Sequence, residues 1–329
     1  MDTELIFQLH DGEFKSGEVL GAKLGISRAA VWKRVERLTG YGLNIERVRG
    51  KGYRLPGGIE LLDQSALAAA TCNAGVAVEV LMSTGSTNAD AMGAFQSDRR
   101  PPFAVLAEHQ SAGRGRRGRA WVSPFADNIY LSLAWKFSAG ATQLQGLSLA
   151  VGVVVADVLA HAGLGDRVRL KWPNDIWVDG RKIGGVLIEL AGDFEEACVA
   201  IIGIGINGRL AQQQAAVIDQ PWTDFFRETG RSMPRNDIAQ SLLNGLAVML
   251  AGFPENDQWR DRWSTLDALR GQPVRLSTTA EDVFGVAQGI DASGALKLEA
   301  EGEVRLIHGG EVSLRPVLGI AERNNDSLS

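Results

Sequence analysis

Seven consecutive residues, Gly113-Arg114-Gly115-Arg116-Arg117-Gly118-Arg119, set four guanidinium groups among three glycines. Glycine lets a backbone approach a ligand closely. Arginine offers a fixed planar fork of donors that matches a carboxylate or a phosphate. Four such cations repel one another until an anion arrives, so the chemistry expected here is the holding of a phosphate-bearing ligand. A plain basic loop, or one that touches nucleic acid, is the competing reading. The stretch formally matches GxGxxG and follows an apolar run, 103–108, that reads as a strand. A dinucleotide loop must open a helix, and Ala120-Trp121-Val122-Ser123-Pro124 does not. No Gly-Lys-Ser/Thr occurs anywhere, which excludes a Walker A loop.

Four further stretches carry polar groups at element ends. Ser86-Thr87-Asn88 precedes a helix, and Lys171-Trp172-Pro173-Asn174-Asp175 follows a strand. A strand beginning at Arg181-Lys182-Ile183 runs to Glu189, and Gly203-Ile204-Gly205-Ile206-Asn207 closes another. Each has a plain structural reading: a helix cap, a turn, a surface lysine, a strand end. Asp175 could steady a Mg²⁺ or the surrounding loops, and the residues alone do not decide between them.

The elements that must position these groups fall into three blocks. In the first fifty-five residues, helices are expected over 3–10, 16–24 and 27–38, with Ser27 as an N-cap. Val31, Val35 and Leu38 recur at helical spacing and form an inward stripe, leaving Ala29, Trp32, Lys33, Glu36 and Arg37 outside. A hairpin with strands over 43–48 and 53–55 follows, turning at Arg49-Gly50-Lys51-Gly52. This is the order of a winged helix-turn-helix. Between Arg28 and Arg54 eight basic residues face two acidic ones, a local surplus suited to nucleic acid.

The middle block mixes strands (76–82, 103–108, 129–135, 168–172, 182–190, 198–206) with helices (88–96, 143–161, 235–251, 255–269) without regular alternation. That predicts an α+β domain with one mixed or antiparallel sheet. Short strands over 274–277, 283–290, 295–299 and 304–307 then predict a small β-barrel. The expected boundaries are 1–58, 59–269 and 270–317, with 318–329 a disordered tail.

The whole chain of 329 residues carries a formal charge of −5, so it is no general polyanion binder. Its two cysteines, Cys72 and Cys198, lie far apart, which excludes a disulfide framework and a structural zinc site. The start, MDTELIFQLH, lacks a signal-peptide pattern. The apolar stretch 147–164 is interrupted by Asp157 and His161, so it reads as a buried helix. A cytoplasmic address is expected.

Taken together, in this order and spacing, the five stretches resemble the biotin protein ligase family. Ser27-Arg28-Ala29-Ala30-Val31-Trp32-Lys33 and Gly50-Lys51-Gly52-Tyr53 resemble its bifunctional members, which also repress biotin synthesis genes. The resemblance runs from about Leu5 to Arg315. It implies a winged helix-turn-helix, a central mixed-sheet catalytic domain of the class II synthetase-like kind, and a C-terminal SH3-like barrel.

The implied substrates are biotin and ATP, with Mg²⁺ carried on ATP and no all-protein metal site. The implied partners are a biotin carboxyl carrier domain, operator DNA, and a second copy of the chain once the adenylate is bound. Ser86, Thr87, Asn88 and Gln110 would meet the biotin ring system. Arg114, Gly115 and Arg116 would close over carboxylate and phosphate. Lys182 would neutralise both, while Asn207 and Trp222 would serve the adenylate. Arg28, Lys33 and Lys51 are the implied DNA contacts, with Arg47 and Arg49 weaker; Arg315 matches a C-terminal motif of less certain role. One departure is Gly85, which stands where many relatives have an acid. A lipoate ligase, a biotin-sensing regulator without transfer, and a ligase whose head no longer binds DNA are the competing readings.

Overall fold

The computed structural model describes residues 2–317 apart from 41, 139, 193, 194, 196, 197, 279, 280, 310 and 311. The expected tail 318–329 lies outside the described residues, as does Glu311 of the C-terminal motif.

The head is built from α1 (Thr3–Leu9), α2 (Gly17–Leu24) and α3 (Arg28–Gly40), followed by β1 (Glu46–Val48) and β2 (Gly52–Arg54). Serine hydroxyls start both later helices. Ser16 Oγ accepts from the Val19 amide at 3.1 Å, and Ser27 Oγ from the Ala30 amide at 3.2 Å. Gly25, at φ 63°, ends α2 in the left-handed conformation that favours glycine. Val31, Val35 and Leu38 are buried as their spacing requires. The first wing strand is shorter than the alternation predicts, because Leu43 and Ile45 turn into the head core instead of pairing. That core also takes in Phe125 and Ala126 from the middle of the chain, so the head does not close its own interior.

The central domain is a seven-stranded sheet. Its strands are β3 (Ala77–Leu81), β4 (Phe103–Ala107), β5 (Ile129–Phe137), β6 (Val168–Lys171), β7 (Asp175–Val178), β8 (Arg181–Gly192) and β9 (Cys198–Ile206). The order across the sheet is β3-β4-β5-β9-β8-β7-β6. Only β3 and β4 run parallel; every other pairing is antiparallel, so the sheet is mixed.

Helices α4 (Gln64–Ala70), α5 (Thr87–Gln96), α6 (Leu147–Leu159), α7 (Gln212–Ala215), α8 (Phe225–Thr229), α9 (Arg235–Gly252) and α10 (Trp259–Leu266) complete it. Strand alternation sorts the two faces. Ala104 and Leu106 of β4 look toward the main core with α6, α9 and α10, while Phe103 and Val105 pack with Ala91 of α5. The stretch around α6 is long and apolar enough to cross a membrane, yet most of it is buried inside the protein.

The C-terminal strands β10 (Pro273–Ser277), β11 (Asp282–Ile290), β12 (Leu296–Ala300), β13 (Glu303–Ile307) and β14 (Ser313–Pro316) form one antiparallel sheet in the order β13-β12-β11-β10-β14. Its inner face, including Val274, Leu276, Leu298 and Leu314, joins the main core. The Trp172 indole, buried, donates to the Gly294 carbonyl at 3.1 Å and fastens this sheet to the central domain.

Candidate active site

The site lies on the α5 face of the sheet, and the strand register leaves it hollow. On β9, Val199 and Ile201 fill that face beneath α5. The next two positions on the same face, Gly203 and Gly205, carry no side chain. A Cβ on Gly203 would stand 2.2 Å from Asn88 Oδ1, and one on Gly205 2.6 Å from the Trp121 ring. Ser132 of β5 pairs with Gly203, and Leu187 and Gly185 of β8 flank the two glycines. A cavity of about 710 Å³ opens over this floor, large enough for a small organic ligand.

One end of the cavity is polar and pre-arranged. Ser86, Thr87 and Asn88 are all buried and line it together with Gln110. The Ser86 side chain makes no capping bond to α5. Gln110 Oε1 accepts from the Thr87 amide at 2.9 Å, and its Nε2 donates to Ser123 Oγ at 3.1 Å. Ser132 Oγ lies 2.6 Å from Asn88 Oδ1 and 2.8 Å from Thr87 Oγ1.

The other end is cationic. Arg114, Gly115 and Arg116 line it, in a loop folded back on itself: the Gly115 amide donates to the Arg119 carbonyl at 2.7 Å and the Trp121 amide to the Gly113 carbonyl at 2.8 Å. Arg116 Nη1 donates to Asn174 Oδ1 at 3.2 Å, and burial pushes its guanidinium below the ordinary value.

Lys182 Nζ sits 2.6 Å from Asp175 Oδ1 and 5.4 Å from the centre of the Trp121 ring. The second oxygen of Asp175 is 2.7 Å from Lys171 Nζ. Burial by itself would raise the Asp175 carboxyl, but the Lys182 and Lys171 ammoniums outweigh it and hold the group below the ordinary range. Burial lowers the Lys171 ammonium; Asp175 opposes that, while Lys182 and Arg315 add to it. Arg315, on β14, reaches the same cavity from the C-terminal sheet.

Ser86, Thr87, Asn88, Gln110, Arg114, Gly115, Arg116 and Lys182 are therefore brought to one cavity. Asn207 and Trp222 are not among its lining residues. Asn207 Nδ2 donates to the Thr223 carbonyl at 3.0 Å, and Trp222 forms a bridge with Lys182 that turns its ring toward Arg227, whose guanidinium carbon lies 4.1 Å from the ring centre. Both hold the segment that carries Val217, Ile218 and Pro221 to the cavity wall. Lys171, Trp121, Asn174 and Glu189 belong to the site or its support; Lys171 and Asn174 stood in the stretch 171–175 without a role of their own, and Trp121 and Glu189 were given none. The signal available for Lys171 was a lysine closing a short strand, followed four residues later by an aspartate.

In the head, Arg28, Lys33, Arg49 and Lys51 are exposed. Trp32, 48% exposed on α3, is covered on one side by Arg47, whose guanidinium carbon is 5.9 Å from the ring centre. Arg47 is also paired with Glu36, which makes it the least available of the five basic candidates.

A winged helix-turn-helix thus sits on a mixed-sheet domain whose cavity is set up for an organic acid at a cationic end, and family models meet each part. An HTH domain model matches residues 3–54. The biotin/lipoate A/B protein ligase family matches 79–207, and the biotin protein ligase C-terminal domain matches 270–315. The bifunctional ligase/repressor BirA of Salmonella typhimurium is 42% identical over 314 residues, covering 94% of this chain and 96% of the relative. The biotin–[acetyl-CoA-carboxylase] ligase of Mycobacterium tuberculosis is 34% identical over 71% of this chain and 88% of its own length. A solved biotin protein ligase from Aquifex aeolicus, in complex with biotin and ATP, superposes with a TM-score of 0.62 at 26% identity, covering 73% of this chain and 99% of that one. The chain belongs to the biotin protein ligase family, in its bifunctional ligase/repressor branch.

Proposed function

We propose that this protein joins biotin to a lysine of a carrier protein in two steps and represses biotin synthesis genes through its head. The observation that carries the reading is the single cavity with a fixed polar cluster, Ser86 to Asn88 with Gln110, at one end and Lys182 with Arg116 at the other.

In the first step a biotin carboxylate oxygen attacks the α-phosphorus of ATP, and the bond to the β-phosphate oxygen breaks. Biotinyl-5′-adenylate and pyrophosphate result. The polar end would grip the ureido ring, whose N–H groups and carbonyl need both acceptors and donors. Lys182 and Arg116 would stabilise the negative charge shared by carboxylate and phosphate as the anhydride forms. MgATP enters as a substrate. The Mg²⁺ would be held largely by phosphate and water; Asp175 has each oxygen on a lysine.

In the second step the acceptor amine attacks the anhydride carbonyl, AMP leaves, and the amine loses a proton. Positioning and charge stabilisation do the work throughout. Asn207 and Trp222 are assigned to holding the adenylate-side segment in place. The test of this reading is pyrophosphate release: it is expected only when biotin and MgATP are both present, and release that is indifferent to biotin contradicts it.

Arg116 divides synthesis from retention. With Arg116→Gly, adenylate synthesis is expected to slow, because one charge partner is lost, but to continue on Lys182, while the intermediate escapes and labels bystander lysines on other proteins. Proteome-wide blotting checks this, and labelling confined to the natural acceptor in an active variant removes the retention role.

For the head, Arg28, Lys33 and Lys51 are assigned to DNA phosphate. Log K should fall linearly with log salt, and each neutralising substitution should flatten that slope by about one unit. Two heads bound to a palindrome would add their contacts. The adenylate is the natural signal, since it accumulates when acceptor lysines are exhausted, and it is assigned the role of favouring a homodimer in the cytoplasm. Footprinting on the protein's own biotin-gene promoter with and without adenylate checks the switch; protection that ignores the adenylate discards it.

A further inference from the structure

Glu189 stands one alternate position beyond Leu187 on β8, on the same sheet face as the cavity floor. Its Oε2 accepts from Asn88 Nδ2 at 2.7 Å and lies 3.6 Å from Arg114 Nη2. One carboxylate oxygen therefore touches both the polar end of the site and the glycine–arginine loop.

The consequence for Asn88 is orientational. With its amide nitrogen on Glu189 and its oxygen 2.6 Å from Ser132 Oγ, the Asn88 amide has a partner at each end and a single sensible orientation. The consequence for Arg114 is electrostatic. The two side chains are 48% and 33% exposed, so the attraction is modest and sensitive to salt. Both contacts vanish together if Glu189 is lost.

We propose that Glu189 is a positioning residue that joins the two halves of the site, fixing the Asn88 amide and holding the glycine–arginine loop down through Arg114. The inference rests on the ligase reading above. Two substitutions separate its two contributions. Glu189→Gln keeps an acceptor for Asn88 but removes the charge that holds Arg114. Glu189→Ala removes both, leaving Asn88 Nδ2 with only the Leu187 carbonyl at 3.4 Å among these partners.

The experiment uses the full-length protein and two readouts: the biotin KM from single-turnover pyrophosphate release, into which loss of the adenylate does not enter, and the rate at which radiolabelled biotinyl-adenylate leaves the enzyme in a chase with unlabelled biotin and ATP. For Glu189→Gln the KM is expected within about twofold of wild type, with release about fivefold faster, the size of a partly exposed ion pair. For Glu189→Ala the same faster release is expected together with a biotin KM raised about tenfold, the size of one lost hydrogen bond to a charged group. Raising the salt concentration should bring the two release rates together, because the wild type loses by screening what the variant already lacks.

Release from Glu189→Gln equal to wild type at low salt overturns the loop contact. An equal KM rise in both variants overturns the amide contact, because the glutamine would have rescued it. Should Glu189→Ala fail to fold, by circular dichroism, Glu189→Met, of similar size but without an acceptor, takes its place in the KM comparison, and the glutamine variant with its salt dependence still decides the loop contact. A wild-type protein that releases no biotin-dependent pyrophosphate overturns the ligase reading itself, whatever the variants do.

Discussion

Lys182→Ala is expected to lose adenylate synthesis by about a hundred- to a thousand-fold while the protein remains folded. The magnitude is that of deleting one group that stabilises developing charge, about 3–4 kcal/mol. Lys182 is suited to that role by what surrounds it. Its side chain is 15% exposed and lies at the cavity wall, and its ammonium is held in place by Asp175 at 2.6 Å. Lys171 cannot replace it, because Lys171 sits on the other oxygen of Asp175 and is buried against Trp177, 4.9 Å from the ring centre. The variant leaves Asp175 with one cation instead of two, which preserves a neutral pair, so the fold should survive. Single-turnover pyrophosphate release, with circular dichroism as the control, checks the claim. Near-normal release from a folded variant would take Lys182 out of the chemistry.

Arg235→Ala is expected to be the most damaging single change to stability. Arg235 Nη2 lies 2.6 Å from Glu108 Oε2, with side chains 3% and 0% exposed. The same guanidinium donates to the Asn128 carbonyl at 3.0 Å and the Glu60 carbonyl at 2.6 Å. Glu108 also accepts from the Leu62 amide at 2.6 Å. This cluster ties the segment leaving the head to β4, β5 and α9. Removing the arginine strands a buried carboxylate, a change that typically costs about 3–5 kcal/mol. The comparison is Arg262→Ala, which breaks an exposed pair with Asp157 and should cost no more than about 1 kcal/mol. Urea denaturation measures both; equal losses would contradict the assignment of the buried cluster.

What the sequence made legible was local and periodic. Ser16 and Ser27 signalled helix starts because a hydroxyl ahead of an amphipathic run answers free amides. Val31, Val35 and Leu38 signalled the buried stripe of α3 by spacing alone. β9 was legible to the residue, since the run from Cys198 to Ile206 is apolar or glycine throughout. β7 was not, because Trp172-Pro173 reads as a break and Asp175 as part of a turn, whereas Asp175 in fact opens a strand paired with β8. α4 and β14 were missed for a similar reason: each is short and takes its stability from packing in the main core, through Leu67 and Leu314.

The candidate site divided along the same line. Motif residues with unusual chemistry, such as the glycine–arginine loop, announced themselves. Residues that act through neighbours did not: Glu189 looks like any strand residue until the β8–β9 register places it opposite Ile201, two positions from the Leu187–Gly203 pair. The glycines at 203 and 205 were visible, but their reason was not. It depends on Asn88 and Trp121 arriving from elements more than eighty residues earlier in the chain. Trp222 was legible as a residue type suited to ring stacking; in the ligand-free protein its ring lies against Arg227.

Transfer of biotin to an acceptor lysine is read most directly from the intact mass of both proteins after incubation with biotin, MgATP and a biotin carboxyl carrier domain. One biotinyl group is expected on the acceptor, none stably added to the enzyme, and no product when biotin or ATP is left out. An acceptor of unchanged mass, while the enzyme still releases pyrophosphate in a biotin-dependent manner, would contradict transfer and leave a protein that makes the adenylate only to sense it.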